Sequence, residues 1–173
     1  ASDAKGLLNA AIEDPNPYLF FEHKALYRSQ KENIYDDYYT TEVGKAKIVC
    51  NGDDLTIITY GMGVHWAKEA LNKISNHSVE VVDLRTLQPW DKETVKKSVC
   101  KTNKVFIIHE DCISGGIGAE ISAWINENLF EFLDAPVTRE GGLDTPVPFR
   151  KELEDNFMPI SRIGAKIRKL LNY

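Results

Sequence analysis

The strongest constraint on this chain is a regular alternation of two patterns. Short apolar runs rich in β-formers alternate with longer segments whose apolar residues recur at helical spacing. The β-rich runs are Leu55 to Tyr60, Val79 to Leu84, Val105 to His109 and Ala135 to Thr138. Strands that alternate with helices favour right-handed crossovers and a sheet covered on both faces. The pattern therefore predicts a three-layer α/β/α domain with a mostly parallel sheet.

Apolar periodicity and capping signals place the helices of this domain. Asp91 follows Pro89 and is a candidate N-cap for the second helix, and Ser161 is the expected cap of the last one. Residues at helical spacing define the buried faces of the four predicted helices: Val64, Ala67, Ala70, Leu71 and Ile74; Val95 and Val99; Ile121, Trp124, Ile125, Leu129 and Phe132; Ile163, Ile167, Leu170 and Leu171.

The first 46 residues have a different character. An apolar helical stretch from Leu7 to Ile12 runs into the turn signal Asp14 to Pro17, and Tyr18 to Glu22 is predicted as a short strand. Such a segment is too small to fold alone. We expect residues 1–28 to be the end of a preceding domain, 29–46 to be a tyrosine-rich linker, and 47–173 to be the α/β domain.

Composition excludes several functional classes. With 43% hydrophobic and 27% charged residues, the chain is typical of a globular protein. Its three cysteines form no CxxC pair and are odd in number, which argues for reduced thiols rather than disulfides or zinc. No apolar run approaches membrane length and no signal peptide is evident, so we expect a cytoplasmic location. A net charge of −5 with dispersed cations disfavours nucleic acid but suits a basic protein partner.

Ionisable residues collect at the predicted carboxyl ends of the strands, where ligands gather in open parallel sheets. One interpretation is a catalytic site, because a histidine beside carboxylates can relay protons and an arginine can clamp an anion. The other is a set of structural or interdomain ion pairs, and we favour it. The candidate cluster is Arg85, His109, Glu110, Asp111, Arg139 and Glu140.

A glycine-rich turn, Gly115-Gly116-Ile117-Gly118, follows the third strand and opens a helix. It lacks the third glycine of a dinucleotide fingerprint. Its free N–H groups suit an anion, but close helix-to-strand packing needs small residues too, and we favour packing.

Cys112 near His109 resembles a nucleophile with its base, although an inert thiol is favoured. The remaining histidines of interest, His23, His65 and His77, lack a second ligand at metal spacing.

Several motifs in family order resemble the β subunit of thiamin-diphosphate-dependent 2-oxo acid dehydrogenases of the branched-chain, pyruvate or acetoin type. Residues 5–28 resemble the closing segment of the pyrimidine-binding domain in that family. Residues 54–173 resemble its transketolase-type C-terminal domain, which implies that fold. The matching motifs are Asp83-Leu84-Arg85-Thr86-Leu87, Pro89-Trp90-Asp91, His109-Glu110, Gly115-Gly116 with Gly118-Ala119-Glu120, and Asp144-Thr145-Pro146 with Pro148-Phe149.

The resemblance implies decarboxylation of a 2-oxo acid and reductive acylation of lipoyl groups by the whole enzyme, in the mitochondrial matrix if eukaryotic. Thiamin diphosphate and Mg²⁺ would be held elsewhere, because the activating glutamate, the Gly-Asp-Gly motif and the catalytic histidines have no counterpart here. Residues 51–54, Asn-Gly-Asp-Asp, are not that motif. This fragment is therefore expected to contain no catalytic, cofactor-binding or metal-binding residue.

Assembly is the role that the resemblance leaves to this chain. The implied partners are the preceding pyrimidine-binding domain, an α-type subunit, a second β-type copy and the subunit-binding domain of the acyltransferase core. The C-terminal helix and Tyr173 are the candidate docking site for the last of these. The alternative is a free-standing α/β module that binds a nucleotide or anion through the His109 loop, Gly116 and Gly118.

Overall fold

The computed structural model describes residues 1–173 and contains one five-stranded sheet with the strand order β1-β3-β2-β4-β5. The strands are β1 Lys47–Cys50, β2 Leu55–Thr59, β3 Val79–Asp83, β4 Val105–Cys112 and β5 Thr138–Gly142. The helices are α1 Ser2–Glu13, α2 Leu26–Ser29, α3 Met62–Leu71, α4 Lys92–Thr102, α5 Ile117–Leu129, α6 Lys151–Phe157 and α7 Ile160–Leu171, with a 3₁₀ turn at Phe130–Phe132.

The sheet is mostly parallel, as predicted. Strand β2 pairs in parallel with both β3 and β4, and β4 pairs in parallel with β5. Only the edge strand β1 is antiparallel, and it pairs with β3. The helices that follow β2, β3 and β4 provide the crossovers that parallel pairing requires.

Both faces of the sheet are covered by helices, which confirms the three-layer α/β/α prediction. Neighbouring residues of a strand point to opposite faces, so Ile57 and Ile58 belong to different apolar clusters. Ile57 and Phe106 pack in the cluster that includes Ile163 of α7. The other cluster joins Ile58 to side chains of α4 and α5, namely Val95, Val99, Ile121, Ile125 and Leu129.

Three local predictions need correction, and two elements were missed. Tyr18 to Glu22 forms no strand because it has no pairing partner. The last strand begins at Thr138, not Ala135, since Pro136 lacks the N–H that a sheet ladder needs. Helix α7 begins at Ile160 after Pro159, without a side-chain cap, so Ser161 lies inside it. Strand β1 and helix α6 were not predicted at all.

The predicted linker lies against α1. The backbone N–H of Thr41 donates to the carbonyl of Gly6 at 2.9 Å, and the Asn9 amide donates to the Tyr39 carbonyl at 2.8 Å. Lys5 lies 5.0 Å from the centroid of the Tyr39 ring. These contacts fix residues 29–46 on the helix, although the proposed boundaries at 28 and 46 stay a prediction. No helix has the length and apolar character needed to cross a membrane.

Candidate functional site

The carboxyl ends of β2, β3, β4 and β5 form one edge of the sheet, which we call the strand-end edge. Tyr60 and Arg85 follow β2 and β3, and the run His109 to Asp111 lies in the last residues of β4. Arg139 and Glu140 were predicted to follow the last strand, but they lie within β5, because this strand begins only at Thr138. Because β2 lies between β3 and β4, Arg85 is separated from the β4 and β5 residues. The six predicted residues therefore divide into Arg85 after β3 and the five residues on the neighbouring strands β4 and β5.

His109 is a buried, neutral histidine. Its Nδ1 lies 3.0 Å from the Asp111 carbonyl oxygen, which can only accept, so Nδ1 carries the proton. The unprotonated Nε2 is buried and has no hydrogen-bond partner. Burial lowers the pKa of His109, and this effect outweighs the Asp111 contacts that raise it. A histidine in this state positions other groups more readily than it relays protons.

Three glycines enclose the His109 ring. A Cβ atom at Gly118 would lie 2.5 Å from Nε2, and one at Gly116 or Gly141 would lie 2.7 Å from Cε1. Gly115 has a φ of 80°, a backbone conformation that L side chains rarely adopt. The imidazole fills the space beside this turn, and no open cradle for a phosphate is left on that side. This geometry favours the packing interpretation of the turn.

Glu140 is bound to the last helix. Arg162 Nε lies 2.9 Å from one carboxylate oxygen and Lys166 Nζ lies 2.7 Å from the other, with the side chain only 7% exposed. Burial by itself would raise the pKa of Glu140, but the bonds from Lys166 and Arg162 lower it. Arg139 instead donates to the Ile113 carbonyl at 2.8 Å, which holds the loop after β4.

Two predicted edge residues contact the first 28 residues of the chain. Arg85 donates from Nη1 to Asp3 of α1 at 3.0 Å, and from Nε and Nη2 to the Lys45 carbonyl at 3.0 and 2.8 Å. Glu110 lies 2.9 Å from His23 Nε2. These pairs join residues 1–28 to the α/β domain at two separate points of the strand-end edge.

Sequence reasoning missed four residues of the edge. Tyr60 is partly buried, and its pKa is raised to about 12. Burial is the larger cause, and the nearby negative charges of Asp111 and Glu110 add to it. The other three are His23, Arg162 and Lys166. Arg162 and Lys166 are four residues apart and therefore lie on one helix face. This spacing could have predicted that the two cations share a partner. No comparable signal pointed to His23.

The strand-end edge does not fit a metal or a diphosphate cofactor. No group of three or more His, Cys, Asp or Glu side chains is placed to hold a metal ion. Glu140 is neutralised by two cations, Glu110 is paired with His23, and the glycine turn is filled by the His109 ring. Cys112 Sγ lies 3.9 Å from the Thr145 carbonyl, and both nitrogens of His109 are directed elsewhere. The edge is suited to holding chain segments together.

Comparisons with known proteins agree with the fold. Residues 44–162 match the family described as the transketolase C-terminal domain. The solved structure described as a split-gene transketolase, inactive β4 tetramer, superimposes with a TM-score of 0.66 at 24% identity, covering 77% of this chain and 44% of that one. At this identity the structural likeness shows the fold alone.

Curated relatives cover nearly all of the chain. The 2-oxoisovalerate dehydrogenase subunit beta of Bacillus subtilis (strain 168) is 42% identical over 99% of this chain and 54% of its own length. The pyruvate dehydrogenase E1 component subunit beta of Porphyra purpurea is 46% identical over 88% of this chain and 46% of its own length. The chain thus spans about half the length of the relatives it matches.

Proposed function

Because the chain belongs to the transketolase C-terminal domain family, we propose that it is the C-terminal portion of the β subunit, or β portion, of a 2-oxo acid dehydrogenase. One observation carries this proposal: the 42% identity to a 2-oxoisovalerate dehydrogenase β subunit extends over 99% of this chain. Because the identity to a pyruvate dehydrogenase subunit is similar, the proposal covers both branched 2-oxo acids and pyruvate as substrates.

In this proposal the whole enzyme decarboxylates a 2-oxo acid and transfers the acyl group to a lipoyl acceptor. Thiamin diphosphate and Mg²⁺ supply the decarboxylation chemistry and are held by portions outside this chain. The strand-end edge supports placing the cofactor outside this chain. Its carboxylates Glu110 and Glu140 are already paired, and the Gly116 to Gly118 turn packs on His109. The enzyme would act in the cytoplasm, or in the mitochondrial matrix of a eukaryote.

The role of this chain is assembly. Its first 28 residues expose large apolar side chains, with Leu19 at 87%, Phe21 at 88%, Ile12 at 73% and Tyr27 at 61% exposed. Exposed apolar surface of this kind marks interaction sites. We assign this surface to contacts with the rest of the pyrimidine-binding domain, which residues 1–28 would complete, with an α-type subunit or portion, and with a second β-type copy.

Docking to the acyltransferase core is assigned to helix α7 and Tyr173. Helix α7 buries Ile163, Ile167 and Leu170 against the sheet, while the Tyr173 side chain stays 66% exposed at its end. With a net charge of −5, the chain suits a basic subunit-binding domain.

Two measurements test the proposal. Calorimetry of this chain with thiamin diphosphate and Mg²⁺ should show no binding, and micromolar affinity would place a cofactor site within it. The full-length parent enzyme, assembled with its α-type portion, should decarboxylate pyruvate or a branched 2-oxo acid. If the parent protein shows no activity with either class, while this chain alone binds nucleotides, the free-standing module becomes the better interpretation.

A further inference from the structure

Helix α4 presents a positively charged face in an acidic chain. Its exposed residues are Lys92, Glu93, Lys96, Lys97 and Lys101, which we call the α4 face. Four lysines and one glutamate give this face a formal charge of +3, whereas the whole chain carries −5. Salt screens exposed charges that lie more than about 8–10 Å apart at physiological ionic strength. A partner that contacts α4 therefore meets the local positive charge rather than the net negative charge.

The lysines of the α4 face are spaced so that they repel one another. Lys96 lies four residues after Lys92, and Lys101 lies four residues after Lys97, so each pair shares one side of the helix. Like charges at this spacing destabilise a helix. On α3 and α6, by contrast, a lysine pairs with a carboxylate one helical turn away. The stability of α4 itself thus gives no reason for this arrangement, but an anionic partner would relieve the repulsion.

Most of the positive charge on this face is free for such a partner. Lys101 is bound within the domain, because it pairs with Glu80 and lies 3.8 Å from Asp53. Lys96 and Lys97 are exposed and have no ion-pair partner.

A pair of tryptophans fixes the position of Lys92. Trp90 precedes the N-cap of α4 and Trp124 lies on α5, with their ring centroids 5.0 Å apart and their planes at 89°. The Lys92 ammonium lies 5.7 Å from the centroid of each ring. Two aromatic faces hold the cation by its attraction to their π systems. Lys92 therefore loses less side-chain freedom on binding an anion than a lysine that moves freely in solvent.

We propose that the α4 face is a docking surface for an acidic protein segment, whose carboxylates pair with Lys92, Lys96 and Lys97. This inference does not depend on the proposed enzymatic function. It concerns a different surface from α7 and a partner of the opposite charge.

The spacing of the lysines suits an extended acidic segment. Lys92 and Lys96 are separated by about 6 Å along the helix axis. Alternate residues of an extended chain point to the same side and are about 6.6–6.8 Å apart. A segment with a carboxylate at every second position thus matches the rise between the lysines.

A nucleic-acid backbone fits this face less well. The face extends for only about 14 Å along the helix. A phosphate backbone carries charge along its whole length and would continue over the acidic remainder of the surface. A short acidic segment avoids that repulsion.

The test measures binding of two labelled peptides to the 173-residue chain by fluorescence anisotropy. One peptide repeats Glu-Ser and the other repeats Gln-Ser, so that they differ only in charge. We expect the Glu-Ser peptide to bind, with an affinity that falls as salt rises, and the Gln-Ser peptide not to bind. In NMR spectra the Glu-Ser peptide should shift the amide signals of α4 and the indole N–H signals of Trp90 and Trp124.

Two double variants with the same change of charge separate docking at α4 from general attraction. Lys96→Gln with Lys97→Gln should weaken binding of the Glu-Ser peptide by about three- to ten-fold, the effect of losing two exposed ion pairs. Arg168→Gln with Lys169→Gln on α7 is the matched control and should leave the affinity nearly unchanged, because these exposed cations lie on another helix. None of the four side chains is buried, so both variants should keep the urea unfolding curve of the unmodified chain.

Three results would overturn the proposal. The first is that the Glu-Ser peptide fails to bind or shifts signals away from α4. The second is an equal loss of affinity in the two double variants. The third is tighter binding of a thymidine oligonucleotide of the same charge at the same α4 signals, which would make the face a site for phosphate backbones.

Discussion

His109 shows how burial decides the protonation state of a single residue. Its Nδ1–H donates to the Asp111 carbonyl, and the bare Nε2 faces Gly118 in a region without water-accessible surface. A proton on Nε2 would have no acceptor, and a buried charge without a partner is costly. The ring therefore contributes shape and one hydrogen bond to the strand-end edge.

We predict that His109 keeps the Nδ1–H tautomer and stays neutral through mildly acidic pH. Burial lowers its pKa below the ordinary 6.5, so the unfolded chain binds this proton more readily than the folded one. The contribution of His109 to stability should accordingly fall as pH drops below 6.5. Imidazole ¹⁵N NMR would show the tautomer directly, and a His109 signal that titrates at or above 6.5 would contradict the prediction.

Gly118→Ala should destabilise the fold by about 1–3 kcal/mol through overpacking. The new Cβ would approach the His109 ring to 2.5 Å, a distance that forces the ring or the helix to move. Free energies of unfolding from urea titration measure the effect. The matched control is Gly164→Ala on α7, where a Cβ would meet only the end of Arg168 at 3.6 Å. That variant should be neutral or stabilised by up to about 1 kcal/mol, because alanine is the better helix former.

Equal free energies of unfolding for Gly118→Ala and Gly164→Ala would show that the His109 contact imposes no specific cost at position 118. If Gly118→Ala kept its stability while the assembled enzyme lost affinity for an anionic ligand, the turn would be a binding site after all.

At the scale of elements, Asp91 joins a helix to the linker. Its Oδ1 accepts from the Thr94 backbone N–H at 3.0 Å, which confirms it as the N-cap of α4. Its Oδ2 accepts from the Thr94 hydroxyl at 2.7 Å and from the Ala46 backbone N–H at 3.0 Å. Burial would raise the pKa of Asp91, but these bonds lower it.

Asp91→Ala should cost about 2 kcal/mol, the upper end for a lost N-cap, because it also removes the acceptor of Ala46. Urea unfolding measures the loss. Asp91→Asn, which keeps one acceptor oxygen, should lose less, and Glu93→Gln in the same helical turn should lie within about 0.5 kcal/mol of the unmodified chain. A loss in Glu93→Gln as large as that in Asp91→Ala would point to charge at the helix end rather than to capping.

Periodicity predicted the central elements but not the peripheral ones. The strands Leu55–Thr59 and Val79–Asp83 are fully or nearly fully buried, so their apolar runs were unambiguous. Strand β1 is a four-residue edge strand with two exposed positions, and its pairing with β3 is set by tertiary contact. Helix α6 buries only Phe157, which leaves almost no apolar period to detect.

The same limit applies to the strand-end edge. Sequence reasoning placed His109, Glu110, Arg85 and Glu140 at strand ends, because carboxyl ends of parallel strands share an edge. It could not show which partner each would contact, since His23, Asp3 and Arg162 come from segments distant in the chain. The partners turn a candidate catalytic cluster into three separate joints.

At the scale of the whole molecule, two kinds of surface indicate two kinds of contact. The first 28 residues expose Leu19 and Phe21 almost completely, which suits permanent apolar association with neighbouring domains or subunits. The far end of α7 is polar, with Arg168, Lys169 and Tyr173 exposed. A contact at this polar surface would be weaker, and more sensitive to salt, than the apolar association of residues 1–28.

If the proposed docking site is right, Tyr173→Ala should weaken binding of the subunit-binding domain by the assembled parent enzyme, with the larger effect on the dissociation rate constant. In the proposed complex, the net charge of −5 would attract a basic domain at long range, whereas Arg168 and Lys169 beside Tyr173 would repel it locally. High salt should weaken the long-range attraction and so lower the affinity of both forms, whereas the apolar association of β-type copies should persist. Titration of the assembled enzyme at low and high salt measures both effects.

Substitution is preferable to removing residues 171–173, because Leu171 is only 9% exposed and belongs to the core. Phe130→Ala is the matched control, since Phe130 is a similarly exposed aromatic at the end of a different helix. If Tyr173→Ala and Phe130→Ala bind the domain equally well, the docking site lies away from α7, and the exposed charges of the strand-end loops become the next surface to substitute.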